Sequence, residues 1–244
     1  MNNENIDKAL PPIQNQQVDY VTSAAKAVLG MVPFAGSLLV ELAGNVIPNQ
    51  RIDRLSKFSA ELEARLAKLD KDFVRSKLSD ENFTDLMEEG MRQAAKSVSD
   101  ERRQYLASLL ANGVDDVAVS FIESKHLLRI LGELNDIEIL WLRFYLNPGI
   151  GGDSSFIEKH KEVFEPVHAH IGCDQATLDK EALRQSYMIH MTELGVLLPR
   201  YDTDMKTKQP VFDMFSGRMR IRGYEITLLG KLLLRQISFA SEPA

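Results

Sequence analysis

Apolar residues recur at steps of three and four along most of the chain, which predicts a mostly helical protein. The clearest stripe follows Pro48 and runs from Ile52 to Leu69, with charges of both signs interleaved between the apolar positions. This pattern is typical of an amphipathic helix that buries one face. No segment from Val18 to Leu146 alternates with period two, so this part is predicted to be all-α.

Residues that cap helices mark the starts of several further elements. Ser79 or Asp80 precedes one apolar stripe, and Ser99 precedes the next. Asn135 and Glu138 form the spacing of a capping box, in which each side chain satisfies a backbone N–H at the start of the helix. The sequence therefore predicts helices that begin at or just after these positions.

The run from Ala27 to Ile47 is the most apolar stretch, and Glu41 is its only charged residue. Its length is marginal for a bilayer-spanning helix, which needs about 20 apolar residues. Pro33 and Gly36 interrupt it and favour two short helices joined by a bend. The two helices would be Val18–Met31 and Ala35–Ile47.

Two interpretations of this apolar hairpin stay open. It is either the buried centre of a helical bundle or a segment that enters a membrane after a conformational change. A permanent transmembrane helix is the least favoured, because basic flanks are weak and the Glu41 carboxylate would lie in the hydrocarbon. The candidate membrane-active residues are Val28, Val32, Phe34, Leu38, Leu39, Leu42 and Val46.

The C-terminal part has a different order of elements. A helix is expected over Asp179–Glu193, with Leu183 directed toward a core and Gly195 at its end. A short apolar strand, a polar loop and a second strand should follow. The second strand, Arg218–Arg222, alternates with period two and places Met219 and Ile221 on the face opposite its three arginines. Thr227 is the expected N-cap of the last helix, Leu228–Phe239.

This helix, strand, loop, strand, helix order resembles a winged-helix domain. The segments that carry the resemblance are His190–Leu197, with its Leu-Gly-Val-Leu helix exit, and Tyr224–Gly230, with its Ile-Thr-x-x-Gly strand-to-helix turn. The resemblance implies a small β-hairpin whose connecting loop is a wing, here longer than usual.

Charge is divided unevenly along the chain. The net charge is −6, but residues 199–244 hold eight Lys and Arg against five Asp and Glu, a net +3, so the other residues carry −9. A basic wing suits contact with phosphates, with a protein partner, or with the acidic body of the same chain. The acidic Asp179 and Glu181 would face DNA unfavourably. Candidate nucleic-acid-binding residues are Arg184, Lys206, Lys208, Arg218, Arg220 and Arg222.

Candidate chemistry elsewhere is sparse. The single cysteine, Cys173, excludes an internal disulfide. His168, His170 and Cys173 are weak candidates for a metal site, because their spacing does not bring three ligands together on a helix. The chain has no phosphate-binding loop and no motif of a catalytic nucleophile. A non-enzymatic protein without a cofactor is therefore expected.

Two segments resemble bacterial abortive-infection proteins of the Abi-alpha type. They are Ser99–Gly113 and Leu131–Leu140, and the wider resemblance covers about Ser79–Phe239. The apolar Val28–Ile47 segment is similar to glycine-rich hydrophobic segments of that family. The resemblance implies a role in phage defence with no agreed catalytic activity.

Together these patterns predict a mostly α protein in three parts. Residues 1–17 form a flexible leader, residues 18–134 form a helical domain containing the apolar hairpin, and residues 135–240 form a winged-helix-like domain. The expected protein is a cytoplasmic phage-defence protein that binds a protein partner or itself and associates with a membrane when activated. The alternative is a DNA-binding transcriptional regulator that uses the basic wing. An enzyme with an unrecognised site is the third class.

Overall fold

A computed structural model describes residues 48–77, 80–116, 118–148, 153–167, 170, 172–214 and 217–239. Over these residues the protein is mostly helical and has one two-stranded antiparallel sheet near its C-terminus. The predicted leader and the predicted apolar hairpin lie outside the described residues. The chain divides into two compact units after Val114, so the domain boundary expected after Leu134 lies inside the second unit.

The first unit contains four described helices. Helix α1 is the amphipathic helix predicted after Pro48, and its apolar stripe, including Phe58 and Leu62, is buried against α3. The Arg65 guanidinium reaches from α1 to α4, where it donates to Ser108 Oγ at 3.0 Å. The helices are α1 (Pro48–Leu66), α2 (Lys71–Lys77), α3 (Glu81–Lys96) and α4 (Asp100–Asp115).

The predicted caps of α3 and α4 are confirmed. The Asp80 carboxylate accepts a hydrogen bond from the backbone N–H of Asn82 at 2.9 Å. The Ser99 hydroxyl accepts one from the backbone N–H of Arg102 at 3.1 Å. Each bond satisfies an N–H that would otherwise have no partner inside the helix, which is why these residues begin the helices.

The second unit contains six described helices and the sheet. Its first two helices each begin with a capping box, formed by Ser120 with Glu123 and by Asn135 with Glu138. The capping box at Asn135 confirms the sequence prediction. The elements are α5 (Phe121–Glu133), α6 (Asp136–Phe144), α7 (Ser154–Lys159), α8 (Lys161–Phe164), α9 (Gln175–Glu193), β1 (Leu197–Tyr201), β2 (Ile221–Ile226) and α10 (Leu228–Gln236).

Glu138 also joins α6 to α9. One of its carboxylate oxygens accepts the Asn135 N–H at 2.8 Å, and the other lies 2.7 Å from His190 Nδ1. The Glu138 side chain is only 2% exposed, so its polar atoms need both partners. The capping residue of one helix thereby helps to orient the next.

An aromatic cluster attaches α7 and α8 to α6. The Phe164 ring packs against Trp141 and Phe144, with ring centroids 5.0 and 5.1 Å apart. The buried Arg143 guanidinium pairs with Asp153 at 2.6 Å and lies over the Phe156 ring. Trp141 is buried, so this cluster forms part of the core of the second unit.

The two segments with winged-helix-like motifs contact each other directly. The Thr227 N–H donates to the Val196 carbonyl at 3.1 Å, and the Thr227 hydroxyl donates to the Gly195 carbonyl at 2.8 Å. The same hydroxyl accepts the Gly230 N–H, which confirms Thr227 as the N-cap of α10. Gly195 has φ +74° and ends the turn after α9. We call this set of contacts the motif junction.

Helix α10 ends at Gln236 rather than at Phe239, and two further elements begin at other residues than the sequence predicts. Helix α9 begins at Gln175 rather than Asp179, because Asp174 accepts the Thr177 N–H at 2.8 Å and caps it earlier. Strand β2 begins at Ile221 rather than Arg218, because residues 218–220 bond to the connecting loop instead of to β1. Both shifted starts come from local hydrogen bonds that apolar periodicity does not report.

Gly230→Ala should destabilise the protein by about 1–3 kcal/mol, because a Cβ there would collide with the Val196 backbone carbonyl and with Ile226. Gly223→Ala is the control, since nothing lies within 4 Å of the Cβ it would carry. Denaturant unfolding of both variants checks this. A Gly230→Ala protein as stable as the Gly223→Ala protein would contradict the tight approach of α10 to the Val196 carbonyl at the motif junction.

Candidate functional site

The segment that joins β1 to β2, Asp202–Arg220, corresponds to the loop that the sequence predicts as a wing, and we call it the wing. Three of its residues form a closed ring of backbone hydrogen bonds. Asp202 N–H donates to the Arg220 carbonyl, Arg220 N–H donates to the Val211 carbonyl, and Val211 N–H donates to the Asp202 carbonyl, with N···O distances of 2.8, 2.8 and 2.9 Å. The ring divides the wing into two loops, each closed at its base.

The two loops share one backbone pattern that repeats every nine residues. The first loop, Asp202–Pro210, has a bridge between Thr203 and Pro210, and the second, Val211–Met219, has a bridge between Phe212 and Met219. The positions of the bridges relative to the ring residues are the same in both loops. Over its described residues, the wing therefore repeats one pattern of backbone hydrogen bonds and bridges.

The turns inside the two loops match as well. Lys208 N–H donates to the Asp204 carbonyl, and Gly217 N–H donates to the Asp213 carbonyl, both at 2.9 Å. Lys208 and Gly217 occupy equivalent positions and both have positive φ, at 58° and 64°. Each aspartate is followed by a methionine, Met205 or Met214. Apolar periodicity does not predict this repeat, although the paired Asp-Met dipeptides nine residues apart are a signal for it.

The Asp204 carboxylate stabilises the turn of the first loop. One of its oxygens accepts the backbone N–H of Thr207 at 2.7 Å and that of Lys206 at 2.9 Å. The Thr207 hydroxyl lies 3.1 Å from the same oxygen. These hydrogen bonds, first those from Thr207 and then that from Lys206, hold the pKa of Asp204 below its ordinary value.

The wing concentrates exposed apolar side chains. Among the described residues, fifteen large apolar side chains are well exposed, and four of them lie in the wing: Met205, Phe212, Met214 and Met219. Three more, Leu198, Tyr201 and Ile221, lie on the adjoining strands. Met205 and Met214 are the most exposed of all, at 86% and 97%. Met219 and Ile221, which the sequence places on the face opposite the arginines, are both at least 40% exposed. Apolar surface gathered in this way is typical of an interaction site.

The wing also brings together the basic residues that the sequence singled out there. Lys206 and Lys208 lie in the first loop and Arg218 lies in the second, while Arg220 and Arg222 lie at the base, and all five are exposed. The Arg220 guanidinium is 4.0 Å from the Asp202 carboxylate, the limit of an ion pair. The surface is thus mixed, with basic side chains among apolar ones.

Arg184 lies apart from this group, on α9. Its guanidinium makes two hydrogen bonds to the Glu181 carboxylate, at 3.0 and 3.1 Å, which raise the pKa of Arg184. Its neighbours include Tyr145 and Tyr224, and burial raises the pKa of Tyr145 to about 12. The Arg184 guanidinium is thus already paired with a carboxylate of its own helix.

A groove of about 500 Å³ lies between α6, α9 and the segment after α8. Its lining includes Ile137, Trp141, Pro166, Leu183 and Tyr187. The expectation that Leu183 points into a core is wrong, since its side chain is 55% exposed in this groove. Periodicity places Leu183 on an apolar face but cannot tell whether another element covers that face.

Within the described part of the chain, no three His, Cys, Asp or Glu side chains come together as a metal-binding group. Of the weak candidates, His170 is exposed, and its carbonyl accepts the N–H of the half-buried Cys173 at 3.1 Å in a turn. His168 lies outside the described residues.

Comparison of the chain with protein-family models, with curated proteins and with solved structures finds no match. Across the described ranges, no helix combines the length and the apolar character that crossing a bilayer requires. The geometry of the wing is therefore the basis on which a function is proposed.

Gly217→Ala should weaken the second loop by about 1–2 kcal/mol, because a Cβ strains the left-handed backbone conformation of this position. Lys208→Gly at the equivalent position of the first loop should have the opposite sign, since it removes the same strain. Amide hydrogen exchange of residues 208 and 217 measures both effects. If the two substitutions changed the exchange rates in the same direction, the equivalence of Lys208 and Gly217 would be contradicted.

Proposed function

We propose that this protein is a non-enzymatic phage-defence protein whose second unit is a winged-helix-like module that binds a partner through its wing. One observation carries the proposal: the wing combines exposed apolar and basic side chains on a loop that its own backbone ring holds together. Such a surface is built for contact, because an apolar patch of this kind has no role in the packing of its own unit.

The order of elements supports the winged-helix-like interpretation. Helix α9, β1, the wing, β2 and α10 follow one another, and α9 packs against β1. The motif junction gives both resemblance motifs a physical role, because Thr227 and Gly230 connect the exit of α9 to the start of α10. The resemblance of Ser99–Gly113 and Leu131–Leu140 to Abi-alpha proteins supports phage defence as the setting.

The predicted apolar hairpin has a separate place in this proposal. It lies outside the described residues, so its role as a buried core or as a membrane-entering segment stays a hypothesis. The wing, in contrast, would act while the described units keep their fold. A protein partner or a second copy of the chain is the partner class first expected from the sequence.

The defence proposal predicts that the wing is needed for protection. Cells that express Lys206→Gln/Lys208→Gln/Arg218→Gln should lose about tenfold or more of their protection against a phage that the unaltered protein restricts, the effect of removing one strong interaction. Plaque counts at matched protein levels measure this. The control is Arg129→Gln/Lys231→Gln, which removes exposed basic residues outside the wing. Full protection by the wing variant would contradict the proposal.

DNA binding is the second candidate, favoured by the five exposed basic side chains of the wing and its base. Duplex DNA should bind more weakly as salt rises, because each neutralised phosphate releases counterions. Replacing Arg218, Arg220 and Arg222 by Ala should lower the slope of log K against log salt by about 0.9 for each phosphate that is no longer neutralised. Fluorescence anisotropy measures this slope. Absence of binding at low salt would rule out this candidate.

A further inference from the structure

We propose that the wing binds the surface of an anionic lipid bilayer, with Met205 and Met214 entering the interface between headgroups and acyl chains. The inference rests on the proposed function, in which the wing is the partner-binding surface, and it names the partner. It assigns membrane contact to a folded part of the chain, distinct from the predicted apolar hairpin.

The two methionines have equivalent places in the wing. Each is the third residue after a ring residue, Asp202 or Val211, and each directly follows the aspartate whose carbonyl closes the turn. Both are almost fully exposed, so their own unit removes little of their apolar surface from water. Entry into an apolar phase therefore gains almost the whole transfer free energy of each side chain.

Basic side chains accompany both methionines. Lys206 follows Met205 directly, Lys208 lies in the same loop, and Arg218 lies in the loop of Met214. Arg220 and Arg222 add positive charge at the base of the wing, and these five basic residues against Asp202, Asp204 and Asp213 leave a net charge of +2 over residues 202–222. Apolar residues that enter the interface, with Lys and Arg that reach anionic headgroups, are the combination that holds peripheral proteins on membranes.

Helix α9 favours a bilayer over duplex DNA as the partner. A duplex held by both α9 and the wing would meet Asp174, Asp179 and Glu181 near the start of the helix. Arg184, which would offset them, is already paired with Glu181. A bilayer can be contacted by the loops of the wing alone, and its fluid surface accepts two flexible methionines without a matched pocket.

Binding to vesicles by the full chain tests the proposal. The protein should sediment with vesicles of phosphatidylcholine and phosphatidylglycerol, and it should sediment much less with phosphatidylcholine alone. Met205→Ser/Met214→Ser should weaken binding by about ten- to a hundredfold, because two apolar side chains no longer enter the interface. Val98→Ser/Ile122→Ser is the matched control, since it removes two exposed apolar side chains outside the wing.

A fluorescent label tests how deeply the wing enters the bilayer. Cys173 is the only cysteine, so Cys173→Ser allows an environment-sensitive dye to be attached through Met214→Cys or, as a control, Val98→Cys. With anionic vesicles, the emission of the dye at position 214 should shift to shorter wavelength, and the emission of the dye at position 98 should not.

Two results would overturn the inference. One is no binding of the unaltered protein to anionic vesicles, whether or not it binds duplex DNA. The other is equal binding to these vesicles by the unaltered protein and by the Met205→Ser/Met214→Ser protein. Binding that survives in the methionine variant would assign membrane contact to another segment, such as the apolar hairpin. The protein could fail to bind vesicles while the Lys206→Gln/Lys208→Gln/Arg218→Gln protein still loses protection against phage. The wing would then remain a partner-binding surface, and only the lipid as its partner would be rejected.

Discussion

The hydrogen bonds of Thr227 hold the second unit together at the point where its helices meet its sheet. One hydroxyl caps α10 and also donates to the turn that ends α9, so two helices and both strands converge on a single residue. Gly230 completes the junction because only a residue without a Cβ lets α10 lie this close to the Val196 carbonyl. This junction aligns Leu197 with Ile226, the buried end of the sheet.

On the face that carries Leu197 and Ile226, the sheet becomes more exposed toward the wing. Pro199 and Tyr224 are half-buried, and Tyr201 and Ile221 beyond them are exposed. Side-chain packing therefore anchors one end of the hairpin, whereas hydrogen bonds within the wing hold the other end. The ring formed by Asp202, Val211 and Arg220 supplies the order that side-chain packing no longer gives. A binding surface with no core of its own can be maintained in this way.

Sequence alone predicted the elements whose causes are local. The caps at Asp80, Ser99, Asn135 and Thr227 follow from side chains that bond to backbone groups two or three residues away. The predicted start of the Arg218–Arg222 strand was wrong, since alternation of apolar and polar residues does not show which segments pair with each other. Leu183 shows the same limit for a helix, because an apolar stripe does not reveal whether a partner covers it.

The candidate site was predictable in its charge but not in its shape. The basic residues of the wing stood out in the sequence, whereas the exposure of Met205 and Met214 depends on two turns that project them. Composition did not predict the turn of the first loop, because Lys208 has positive φ at the position that Gly217 occupies in the second loop.

The closed ring has a consequence for how such a wing can change. Each loop leaves and re-enters the ring at neighbouring backbone groups, so a loop can be added, removed or lengthened without altering the register of β1 and β2. The number of loops in the wing is then independent of the strands and helices that carry it. A chain built in this way can acquire a second point of attachment by duplicating nine residues, and two weak attachments on one rigid base strengthen each other through effective concentration.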